Sequence, residues 1–149
     1  MKDMNKKKLI KWLMLLIWML VIFLFSSQPH SGETTKSIIE QIMPNIKTNS
    51  LIDMINFIVR KSAHITEYFI LTLLIISLLK EYTKKERTIL LSSIIFCFIY
   101  AMTDEYHQSF VPGRSSLFRD VLIDTSGGIL AIILNYIYMH KYSIKSNKL

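Results

Sequence analysis

The sequence predicts an all-α integral membrane protein: a bundle of four transmembrane helices, with amphipathic interfacial helices in its first outer loop. Three observations predict it. Hydrophobic residues make up 51% of the 149 and charged ones only 19%, and the hydrophobic residues are gathered into four blocks. Each block is apolar around nearly its whole circumference, and a chain this short cannot build a core that covers four such helices, so lipid is their solvent. The lysines and arginines stand at the block edges, where water meets lipid. The expected spans are about 9–25, 63–80, 88–104 and 119–140 of a single domain, 1–149.

The first block, Leu9–Phe25, carries Trp12 and Trp18 and only one charge, Lys11. It is long enough at about 1.5 Å per residue to cross most of a hydrocarbon core of ~30 Å. Lys6-Lys7-Lys8 before it resembles the basic start of a signal peptide. The apolar stretch exceeds the usual ~7–15 residues and Ser26-Ser27-Gln28-Pro29 offers no small-x-small cleavage site, so an uncleaved anchor is expected. The second block runs Ile65–Leu79, the third Ile89–Met102, and the fourth Val121–Met139, interrupted near its start by Asp124.

Between the first two blocks, Ile38, Ile39, Ile42 and Met43 recur at helical spacing within Thr34–Met43. Leu51, Ile52, Ile55, Ile58 and Val59 do the same within Asn49–Val59. Pro44 separates the two and ends the first. Both read as amphipathic helices at the outer interface, either anchoring the loop to lipid or covering a site beneath it. The second is placed to run into transmembrane helix two.

Lys and Arg counts set orientation, because basic loops stay in the cytoplasm. Twelve fall before helix one and at its start, in the loop Lys80–Arg87, and in the tail; six fall in the other two loops, namely Lys36, Lys47, Arg60, Lys61, Arg114 and Arg119. Both termini are therefore expected in the cytoplasm, with loops 26–60 and 104–119 outside. The net charge of +7 is then explained by topology and anionic lipid, and no nucleic-acid partner is needed. With four Gly and three Pro the chain is not collagen-like, and with Cys97 alone it holds no internal disulfide.

The informative residues are charges beside or inside the apolar blocks, since ionisable groups in a bilayer face a bundle interior or a wet cavity. In helix two, Lys61, His64 and Tyr68 share a face at spacings of three and four, with Glu67 next to His64. A snorkelling Lys61 and Tyr68 around one His–Glu pair is the plainer account. Helix three ends Thr103-Asp104-Glu105-Tyr106-His107-Gln108, and adjacent carboxylates at a negative dipole end call for an offset by Arg, Lys or a metal. Val111-Pro112-Gly113-Arg114 reads as a tight turn that projects Arg114 rigidly. Helix four begins Arg119-Asp120, with Asp120 and Asp124 on one face; the dipole covers Asp120 well and Asp124 poorly. Ser126, Gly127, Gly128 and Ala131 give that helix a small-residue stripe for close packing. Helix two starts, helix three ends and helix four starts on the same side, so these charges are expected to meet in one outward-facing polar pocket.

The stretches Lys61-Ser62-Ala63-His64-Ile65-Thr66-Glu67-Tyr68, Thr103-Asp104-Glu105-Tyr106-His107-Gln108-Ser109-Phe110-Val111-Pro112-Gly113-Arg114 and Asp120-Val121-Leu122-Ile123-Asp124-Thr125-Ser126-Gly127-Gly128 resemble the signature of VanZ-like membrane proteins. The resemblance covers nearly the whole chain in order. It implies a bacterial cytoplasmic-membrane protein of the cell envelope, with a link to resistance against the glycopeptide teicoplanin, and no settled chemistry. Asn is common in the family where Asp124 stands, which counts against Asp124 as a metal ligand.

Three functions are open on these residues. The first is a non-enzymatic protein binding an anionic head group, or an envelope or antibiotic ligand, through Lys61, His64, Glu67, Gln108, Arg114, Asp120 and Asp124, with Arg119 a further cation. The second is an enzyme on a lipid-linked envelope precursor, its catalytic candidates His64, Glu67, Asp104 and Glu105, and its candidates for a divalent metal cofactor His64, Glu67, Asp104, Glu105 and Asp120. No serine elbow, His-Glu-x-x-His or phosphate-binding loop supports it. The third is a small transporter, which the almost wholly apolar inner halves of helices two, three and four disfavour.

Overall fold

The computed structural model describes residues 6–44, 48–114 and 116–146, with side chains to Lys141 in the last helix. Lys2, Lys47 and Lys148, counted above for orientation, lie outside the described residues, as does the side chain of Lys145. Every regular element among the described residues is helical: α1 (Lys6–Ser26), α2 (Ser31–Ile42), α3 (Asn49–Leu79), α4 (Glu86–Gln108) and α5 (Phe118–Ser146). Four of them, α1, α3, α4 and α5, are long and apolar enough to cross a membrane. The chain is a multi-pass membrane protein.

The second span departs from its expected start. Helix α3 begins at Asn49 rather than near 63, so the second amphipathic segment is the opening of the transmembrane helix and not a separate interfacial helix. The reason is local: no Gly or Pro stands anywhere in Asn49–Leu79, so nothing breaks the hydrogen-bond ladder where the amphipathic pattern gives way to the apolar one. At about 1.5 Å per residue α3 reaches roughly 46 Å, well beyond a hydrocarbon core. Its first turns receive α2. Asn56 Nδ2 donates to the Gly32 carbonyl at 3.1 Å, Lys36 Nζ pairs with Asp53 at 2.7 Å, and Ile39 and Ile52 are buried.

The bundle centres on α3, which packs against all four other helices. Leu15 and Ile22 of α1, Tyr68, Leu71, Ile75 and Leu78 of α3, Cys97 and Ala101 of α4 and Val121 of α5 make the core. Cys97 is fully buried in mid-helix, as an apolar residue would be. Helix α1 buries a single stripe, Leu15, Ile22 and Ser26, while Leu16 at 54% and Ile17 at 60% exposed show that its remaining circumference is left for lipid. The small-residue stripe sets the closest approach. A Cβ on Gly127 would run into the Ile65 carbonyl, and one on Gly128 into Cys97 Sγ and Thr72 Oγ1. Glycine there lets the α5 backbone lie directly on α3 and α4.

The two ends of the bundle differ. At one, Lys11 Nζ reaches from α1 to Glu81 at 2.6 Å and to the Ser77 carbonyl, and Trp12 Nε1 donates to the Tyr82 hydroxyl. At the other, α1 and α4 finish, α5 starts, and α2 folds over. The unusual charges are gathered at this second end.

Candidate functional site

Each charged stretch reaches the site from a different helix. On α3, Lys61 Nζ meets Asp120 Oδ1 of α5 at 2.8 Å, an ion pair that ties the two helices. One turn deeper, His64 Nδ1 lies 3.5 Å from Asp124 Oδ1 and 3.9 Å from Glu67 Oε2. Asp120 and Asp124 do share a face, and that face looks onto α3.

The paired carboxylates at the end of α4 accept hydrogen bonds from neutral donors. Ser26 at the end of α1 donates to Asp104 Oδ1 at 2.6 Å, and Gln108 Nε2 donates to Asp104 Oδ2 at 2.8 Å. Glu105 Oε2 accepts the Leu117 backbone N–H at 3.2 Å, just before α5. Both carboxylates are buried. Tyr68 is fully buried, its hydroxyl enclosed in the bundle, so it is not an interfacial anchor. Lys61, whose side chain is 20% exposed, is an ion-pairing residue rather than a snorkelling one.

Arg114 is held as the turn geometry requires. The Arg114 N–H donates to the Val111 carbonyl at 3.1 Å, and Gly113 has φ 77°, the left-handed value that a Pro-Gly turn needs. His30, at φ 53°, packs its ring where a Gly113 Cβ would stand, so the loop after α1 braces this turn. From it the guanidinium donates through Nη1 to Gln108 Oε1 at 3.2 Å and through Nη2 to the Phe25 carbonyl at 2.7 Å.

Two clefts open above the buried acids, and both are lined by Arg60, His64 and Arg114. One, of about 290 Å³, is completed by Glu67 and by residues of the first loop and α2, including Gln28, Ser31 and Thr35. The other, of about 240 Å³, is completed by Phe57, Lys61, Glu105, Gln108, Leu117, Arg119 and Asp120. Lys61 Nζ and the Arg119 guanidinium both lie over the Phe57 ring, at 5.7 and 5.9 Å from its centre. Among the described residues, Arg60, Arg114 and Arg119 have no carboxylate within ion-pair distance. Burial, reinforced by the neighbouring Arg60, pulls the Arg114 pKa below its ordinary value, with Asp104, Glu105 and Glu67 opposing. Guanidinium stays charged under such a shift.

The structure thus brings Lys61, His64, Glu67, Asp104, Glu105, Gln108, Arg114, Asp120 and Asp124 to one end of the bundle, with exposed Arg119 on the rim. His107 is turned away: it packs on the Phe23 ring at 4.5 Å and lies 3.0 Å from Ser27 Oγ. Among the described residues, the histidine and acids whose donor atoms converge within 4.8 Å are His64, Asp104 and Asp124. Glu67, Glu105 and Asp120 are outside that set, and Asp124, which the family pattern counted against, is inside it. Sequence reasoning used Arg60 for orientation alone, although it stands four residues before His64 and so shares its face. Ser26 carried no signal, because its partner Asp104 is 78 residues away.

The fold and site together define a multi-pass helical membrane protein with a buried histidine–carboxylate cluster beneath a guanidinium-lined cleft. The chain belongs to the VanZ/LLP1 family, whose model matches residues 11–139. No curated protein and no solved structure matches it.

Proposed function

We propose that the protein binds an anionic head group at the outer leaflet of a bacterial cytoplasmic membrane, holding its phosphate or carboxylate in the cleft between α3, the 111–114 turn and α5. One observation carries the reading: three guanidiniums, Arg60, Arg114 and Arg119, line one 240 Å³ cleft with no carboxylate of the described residues paired to any of them. Like charges crowded in a half-buried cleft repel, and a bound anion relieves that repulsion while taking two or more charge-assisted hydrogen bonds. Gln108 and the Phe25 carbonyl fix the Arg114 fork, so little rotamer freedom is lost on binding. The head group's acyl chains run down the apolar outer surface of the bundle. Such a site suits a lipid-linked envelope precursor, and a lipid-tailed glycopeptide such as teicoplanin would meet it at the same depth.

The test uses full-length protein in nanodiscs of zwitterionic lipid, with anionic phospholipid added in steps and retention read by native mass spectrometry. Arg60→Ala with Arg114→Ala is expected to lower anionic-lipid retention at least tenfold. The same pair is expected to change teicoplanin susceptibility in a host that expresses the protein. If retention and susceptibility both stay at wild-type values, the proposal fails.

A second reading, chemistry on the bound head group, is favoured by Glu67 and His64 lining the larger cleft with their side chains only 16% and 14% exposed. Either is placed to act as a general base. Glu67→Gln that binds lipid normally but loses the in-cell phenotype would support it; normal phenotype in both Glu67→Gln and His64→Ala would remove it.

A further inference from the structure

Beneath the cleft, His64, which also lines it, meets two buried acids that line neither cleft. His64 from α3, Asp104 from α4 and Asp124 from α5 each place one donor atom within 4.8 Å of the other two. The His64 Nδ1 to Asp124 Oδ1 separation is 3.5 Å. Two ligands of one tetrahedral ion, with bonds of about 2.1 Å, stand roughly 3.4 Å apart, so that edge is already at coordination distance.

Two independent features point to an ion rather than to packing. Asp124 is 1% exposed, and among the described residues its Oδ2 has no hydrogen-bond partner; His64 Nδ1 has none either, its contact with Asp124 Oδ1 being an ion-pair approach at 3.5 Å. A buried polar atom without a hydrogen-bond partner calls for one, and an ion between these side chains would supply it. Asp104, by contrast, is positioned: Ser26 and Gln108 each donate to one of its oxygens, leaving a further lone pair on both. That is the arrangement in which outer hydrogen bonds orient a metal-binding carboxylate. Lys61, the nearest ammonium, is engaged by Asp120.

We propose that His64, Asp104 and Asp124 form a site for one divalent transition-metal ion, Zn²⁺ or Mn²⁺. One imidazole nitrogen and two carboxylate oxygens suit these ions, while Mg²⁺ and Ca²⁺ prefer oxygen alone. The site joins three helices, so the ion would clamp α3, α4 and α5 together. It stands whether or not the cleft above takes an anion.

The test uses full-length protein in detergent, stripped with EDTA and titrated with MnCl₂ or ZnCl₂ in buffer free of phosphate and anionic lipid. Bound Mn²⁺ is read by electron paramagnetic resonance and bound Zn²⁺ by elemental analysis. One ion per chain is expected, with a rise in Tm on metal addition. His64→Ala with Asp124→Asn is expected to lower binding at least tenfold, while Asp53→Asn, on the exposed opening of α3, keeps it. Wild-type protein that takes up less than a tenth of an equivalent of either metal, or whose Tm does not move, overturns the proposal even if the double variant does not fold. So does a folded double variant that binds as wild type does. Since neither phosphate nor anionic lipid is present, failure here is separable from failure of the head-group reading.

Discussion

At the scale of single residues, the site is built from side chains whose roles are set by what they touch across helices. Ser26 is an ordinary end to an apolar run, yet it donates a 2.6 Å hydrogen bond to the buried Asp104. Ser26→Ala leaves that acceptor one donor short and is expected to destabilise the protein by about 1–3 kcal/mol, read as a lower Tm in detergent. Gly127 is the sharper case. In an isolated helix Gly→Ala stabilises by about 1 kcal/mol. Here the added methyl meets the backbone carbonyl of Ile65, which cannot turn aside. Gly127→Ala is therefore expected to destabilise, by about 1–3 kcal/mol; a raised Tm would show that α5 does not lie on α3 as described. Sequence made the stripe legible because small residues at helical spacing have few uses in lipid other than close packing. It left Ser26 unread as a site residue, because its partner Asp104 comes from elsewhere in the chain.

At the scale of elements, α3 organises the molecule. Its apolar half was readable from composition, and its polar opening from periodicity. Their fusion follows from the absence of any breaking residue between them. The end of α3 away from the site supplies a pH test. Glu81 stands just past the helix, and its hydrogen bond to Lys11 Nζ holds its pKa below the ordinary 4.5, with the Lys11 charge adding to the effect. A carboxyl with a depressed folded pKa contributes stability above its ordinary value, and that contribution is lost as pH falls through the folded one. Thermal unfolding followed from pH 7 downward is expected to show a loss of Tm below about 4.5 that is smaller in Glu81→Gln. Equal slopes in the two proteins would mean that the α1–α3 contact does not form in solution. The Lys36–Asp53 pair between α2 and α3 is exposed, and Lys36→Ala is expected to leave Tm unchanged.

At the scale of the whole molecule, the antiparallel arrangement puts the ends of α1 and α4 and the start of α5 at one depth. The loop from Lys80 to Lys85 stands at the other end. The distribution of Lys and Arg predicts that the site end faces outward. Cys97, the single native cysteine, is buried, so engineered cysteines report alone. Membrane-impermeant thiol reagent added to intact cells is expected to label Gln28→Cys and not Lys84→Cys. The reverse pattern would invert the topology, and place the cleft in the cytoplasm.

The sequence by itself determined that the chain is helical, that it crosses a membrane four times, and that the ionisable residues at the start of its second span, the end of its third and the start of its fourth meet at one end. Each of these follows from the cost of placing polar groups in hydrocarbon, which any single helix meets on its own. Which acid receives an ammonium, which receives hydroxyl and amide donors, and which faces the His64 imidazole was decided by tertiary packing. Asp120, Asp104 and Asp124 are the same residue in sequence, and they differ only through the neighbours that α1, α3 and α4 bring to them. Those neighbours are set by helix rotation and by the glycine contacts of α5, quantities that arise only when the helices are packed together.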